Sequence, residues 1–176
     1  FKDTTKVTYF DYSKQALAYK RMLLEHWDGE DYPRFIQWAK SKYSINETAG
    51  TRTENETPDD LWIRELNYWG SEKTLKNHWQ DYKILEHRYI HCDICENPEK
   101  LTNKISNKGT QVIWWSNAFH TVNAHYLRGL QGVKNCYNDW VQQLNNKDKN
   151  LYIMGKDYLN RPVEGGTLKE YLNENQ

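Results

Sequence analysis

The chain has 176 residues, enough for a domain of ordinary size with a sizeable buried core. Its 24 basic and 24 acidic residues cancel, which argues against general nucleic-acid binding, because such proteins carry a basic excess. A mean hydropathy of −1.02 beside eight Trp and thirteen Tyr argues against disorder and for a core built from large rings.

No apolar run approaches the roughly 20 residues of a membrane span and no secretory signal opens the chain, so the expected compartment is the cytoplasm. Three cysteines, Cys92, Cys95 and Cys136, are a poor basis for a disulfide framework. Asn46-Glu47-Thr48 and Asn55-Glu56-Thr57 fit the glycosylation triplet, a chance match in an Asn- and Thr-rich stretch. The chain opens on Phe1 and enters a strand within a few residues, so it reads as a piece of something longer.

In chain order, Lys6 to Asp11 is β-branched and aromatic and predicts a strand ending at Asp11. Ser13 caps the next helix, on which Ala16, Tyr19, Leu23 and Trp27 recur at helical spacing until Asp28-Gly29 stops it. A second short helix is expected from Pro33 to about Tyr43, then a polar loop from Ser44 to Glu56. Thr57-Pro58-Asp59-Asp60 is a strong helix start, with a Thr cap, Pro at the first helical position and acids on the positive end of the dipole. Trp62, Leu66 and Trp69 share a face of that helix; after Gly70-Ser71 another presents Leu75, Trp79 and Tyr82.

His87 to Ile94 reads as the next strand, and Asn97-Pro98-Glu99 opens a helix ending near Gly109. Gln111 to Trp115 is a nearly continuous apolar run, which predicts a strand buried on both faces. Tyr126, Leu130, Val133, Tyr137, Trp140 and Leu144 then step along one face of the longest helix. Asn150 to Gly155 is a further strand, and Thr167-Leu168-Lys169-Glu170 is a capping box. Gly165-Gly166 reads as a simple turn, and Gly129 and Gly132 as close packing of the long helix on the sheet.

Strands alternating with helices predict a single α/β domain over 1–176, with a mainly parallel sheet, helices on both faces, and a helical insertion over about 29–83. In an open parallel sheet, ligands bind beyond the carboxyl ends of the strands. Those ends hold Asp11-Tyr12, Asp93-Ile94, Ser116-Asn117 with His120, and Lys156-Asp157. A carboxylate at one end suits a ribose diol and one at the next an exocyclic amine. Either Asp read alone also suits a helix cap.

On these residues the chain resembles the class I, Rossmann-like S-adenosylmethionine-dependent methyltransferases. Val7-Thr8-Tyr9-Phe10-Asp11 is similar to their second strand, and Tyr89-Ile90-His91-Cys92-Asp93-Ile94 to their third. Val112 to Asn117 with Phe119-His120 looks like the fourth, which ends beside the transferred methyl. The first strand and its glycine-rich loop have no counterpart in the ten residues before Asp11.

The resemblance implies S-adenosyl-L-methionine as a small-molecule cofactor, held by Asp11, Tyr12, Asp93, Ile94 and Ser116, with Asn117 and His120 as catalytic residues, Asn117 hydrogen-bonding the nucleophile and His120 taking its proton. His120 also reads as a structural histidine at a helix start, and His125, one turn further on, is a weaker candidate for taking the proton. Cys92-Asp93-Ile94-Cys95 has redox or zinc spacing, with His87 and His91 near; without a second pair, buried thiols are the better reading and no metal site is expected. The alternative to an enzyme is a non-enzymatic interaction module that uses the aromatic helical insertion as its contact surface.

Overall fold

A computed structural model describes residues 4–43, 56–105 and 109–174. The expected polar loop from Ser44, with Asn46 and Asn55, lies outside them, as do residues 106–108 ahead of Gly109. Among the described residues the order is β1 (Lys6–Asp11), α1 (Lys14–His26), α2 (Tyr32–Lys42), α3 (Pro58–Trp69), α4 (Glu72–Lys83), β2 (Glu86–His91), α5 (Pro98–Thr102), β3 (Val112–Trp114), α6 (Val122–Lys147), β4 (Tyr152–Lys156), β5 (Pro162–Thr167) and α7 (Leu168–Glu174). None of these helices is long and apolar enough to cross a membrane.

The chain forms two compact units, one of residues 1–9 with 13–89 and one of residues 10–12 with 90–176. In the first, helix ends follow the chemistry of the sequence. Ser13 Oγ accepts from Ala16 N at 3.2 Å, and Thr57 and Asp60 close a reciprocal box at 3.0 and 3.1 Å. The core gathers Met22, Tyr32, Phe35, Ile36 and Ala39, with Trp27 as its aromatic hub against Tyr32 at 5.5 Å and Trp79 at 4.8 Å. Gly29 makes that approach possible. Its φ is +95°, and a Cβ there would lie 2.9 Å from Trp79 Cδ1.

The strands correct the expected fold class. They form two small sheets rather than one mainly parallel sheet with helices on both faces: β1 pairs with β2, and β3, β4 and β5 form a separate sheet in that order. The β1–β2 bonds Glu86 N to Thr5 O and Cys92 N to Asp11 O advance together by six residues, so that pair is parallel. β3 is parallel to β4, but β5 runs antiparallel to β4.

Asp157 causes the reversal. It is buried, its Oδ1 accepts from Leu159 N and Arg161 N at 2.8 Å each, and its Oδ2 accepts from Arg161 Nε at 2.7 Å. Asn160 takes φ +62° in the same turn, so the chain folds back as a hairpin. Gly166, read as part of a turn, instead lies within β5 opposite Ile153.

Two further expectations change. β3 is not buried on both faces: Ile113 and Trp115 turn inward, while Val112 and Trp114 are 61% and 63% exposed, the alternation of a sheet with one open face. The long helix buries Val133, Tyr137, Trp140 and Leu144 but leaves Tyr126 86% exposed and Leu130 55% exposed. Gly129 explains this. At φ 63° and ψ 172° it breaks α6, so positions on its two sides no longer share one helical face; a Cβ there would touch nothing within 4 Å, so close packing is not its role. α5 also stops at Thr102 rather than near Gly109.

Candidate functional site

Every site residue proposed from the sequence falls in the second unit. The parallel register sets Asp11 beside Cys92, one residue before Asp93, so both carboxylates stand at neighbouring strand ends. Asp93 is only partly available. Its Oδ1 accepts from Cys95 N at 2.7 Å, and its Oδ2 accepts from Arg128 Nη2 at 3.1 Å. The same Arg128 nitrogen donates to Glu96 Oε1 at 3.1 Å. A carboxylate has about four acceptor positions, so these bonds orient Asp93 and leave lone pairs for a ligand.

The neighbouring residues divide. Tyr12 is exposed, and its carbonyl accepts from His91 Nε2 at 2.9 Å. Ile94 is buried in the core among Cys92 and Leu101, so its side chain is not presented to a ligand. Of the Cys92–Cys95 pair, Cys92 is buried and burial pushes its thiol up. Cys95 is pushed up by burial and by its hydrogen bond to Cys136, so its partner is on α6 rather than across the Cys-x-x-Cys turn. Among the described residues no group of three or more His, Cys, Asp or Glu is placed to hold a metal ion.

At the carboxyl ends of β3 and β4 an open cavity of about 390 Å³ brings Ser116 and Asn117 together. Ser116 Oγ donates to Asn117 Oδ1 at 3.4 Å. Lys156 and Asn160 add polar groups to the lining, and Trp114 and Met154 add apolar ones. Trp115 forms the inner wall: 2% exposed, it donates from Nε1 to the Lys156 carbonyl at 2.8 Å and fixes that strand end.

His120 does not line this cavity. Its Nδ1 donates to the Tyr158 carbonyl at 3.2 Å, and its ring meets His125 edge-on at 4.9 Å, so Nε2 is its basic nitrogen.

Reading the sequence missed Arg128, Trp114, Met154 and Asn160 as site-forming residues. Trp114 and Met154 were readable in principle, because they are register partners one strand apart and both point to the open face. Nothing local marks Arg128, which reaches Asp93 from 35 residues away. No family model, curated protein or solved structure matches the chain.

Proposed function

We propose that the second unit binds the adenosine part of S-adenosylmethionine at Asp11 and Asp93 and takes a methyl acceptor into the cavity beside Asn117. The single observation that carries this is the parallel register that sets the two acids at adjoining strand ends. Asp11 suits the ribose diol, and the spare lone pairs of Asp93 suit the adenine amine. Transfer moves the methyl carbon from the sulfonium sulfur, which keeps the bonding electron pair and becomes a neutral thioether. The acceptor's lone pair forms the new bond, and the proton it sheds passes through solvent, His120 Nε2 being the base this strand end offers. Alignment contributes more to such a step than acid–base power. Three free thiols suit a reducing compartment, so we place the protein in the cytoplasm.

Calorimetric titration with S-adenosylhomocysteine tests the reading. Binding is expected, weakened by about ten-fold or more in Asp11→Ala, as loss of a charged hydrogen bond to a ligand requires. A folded protein that gives no heat, or equal affinity in the variant, overturns it.

Interaction through the first unit is a second reading, favoured by Ile63 and Tyr68, both exposed on α3, which buries none of its residues fully. It predicts a species heavier than the monomer by light scattering, dispersed in Tyr68→Lys. A strict monomer counts against it.

A further inference from the structure

We infer that the cavity at the ends of β3 and β4 selects a planar aromatic ligand carrying an anionic group. Its role as methyl acceptor rests on the reading above; its binding does not. Three observations converge on this chemistry.

The first is an exposed ring surface. Trp114 is a register partner of Met154, the two are 63% and 46% exposed, and both line the cavity. An indole face beside a polarisable thioether makes a flat apolar floor, the natural partner of another ring. Val112 and Tyr152, the next register pair on the same face, extend it along the sheet.

The second is charge. Of the ten described lining residues only Lys156 is charged, and none is acidic. No carboxylate is within ion-pairing reach of its ammonium among the described residues, whereas the neighbouring Arg161 is spent on Asp157. An anion entering the cavity therefore meets a cation with no competing carboxylate among the described residues, in a setting partly shielded from water.

The third is directional. Ser116, Asn117 and Asn160 offer a hydroxyl and two amides, able to donate to or accept from a ring's polar edge. Trp115, locked to the Lys156 carbonyl, and Gly155, with no room for a side chain against Trp115, keep the inner wall rigid. A volume of about 390 Å³ admits a ligand of one or two fused rings.

The test is calorimetry on the full chain with three probes: indole-3-acetate, its neutral analogue indole-3-acetamide, and acetate. Indole-3-acetate is expected to bind about five-fold more tightly than the amide, the range of a partly exposed ion pair, and acetate to give no heat. Lys156→Gln erases the difference between acid and amide. Trp114→Ala weakens both by about ten-fold, as loss of a stacked ring does, with an unchanged circular dichroism spectrum because the side chain is exposed. Equal binding of acid and amide to the parent protein, unchanged affinity in Trp114→Ala, or no binding at about 1 mM probe each overturns the inference. Because donor is absent from these titrations, failure of S-adenosylhomocysteine to bind leaves their outcome standing.

Discussion

Replacing Trp140 with alanine lowers the stability of the second unit by about 3–5 kcal/mol, a large share of the 5–15 kcal/mol typical of a domain. Trp140 has no exposed surface and stands between Phe10 at the end of β1, with ring centroids 6.4 Å apart, and Trp115 after β3, edge-on at 6.0 Å. Alanine there opens a cavity where both candidate strand ends lean on one ring. Phenylalanine is the informative control. Trp140 Nε1 is buried with no hydrogen-bond partner among the described residues, so Trp140→Phe keeps most of the ring while removing an orphaned donor. Its cost is expected at about 1 kcal/mol or less. Urea unfolding followed by circular dichroism measures both, and a phenylalanine variant as damaged as the alanine one means that the indole N–H has a partner.

Gly155→Ala is the second large effect, in the opposite sense of packing. A Cβ at Gly155 would stand 2.5 Å from Trp115 Cε2 and 2.6 Å from its Cδ2 and Nε1. These are rigid ring atoms of a buried side chain held by its bond to Lys156, so neither side can give cheaply. The expected loss is about 1–3 kcal/mol, the usual cost of overpacking, together with weaker binding in the cavity whose wall the ring forms. Thermal unfolding and titration with indole-3-acetate read the two consequences. Full stability in the variant would show that the strand end can shift, and would undercut the rigidity ascribed to this wall.

What was legible in the sequence was local. Ser13, Thr57 and Thr167 cap where their side chains and the residues three positions on require, because a cap is decided within one turn. Asp11 ends a strand because Ser13, two residues on, already caps α1. The sheets were not legible, because pairing depends on distant partners. The run from Val112 to Trp115 has one composition whether one face or two is covered, and only the β4 register shows which. The stride of α6 counted Tyr126 and Leu130 into the core, because a helical count assumes helical backbone throughout and Gly129 breaks it. Asp157 stands in the sequence among the strand-end residues, but only the fold shows that its buried carboxylate is used up in making the hairpin.

The site follows the same division. Chain position alone marked Ser116 and Asn117 at one strand end and Asp11 with Asp93 at the others. The hold of Arg128 on Asp93 and the aromatic floor of the cavity arise from packing between segments far apart in the chain. The most direct measurement is an amide nuclear magnetic resonance spectrum recorded while S-adenosylhomocysteine is added. Shifts concentrated at Asp11 and Tyr12, in the turn from Asp93 to Glu96 and at Ser116 and Asn117 are the predicted result. A spectrum that does not move, or that moves only between Lys14 and Lys83, contradicts the account.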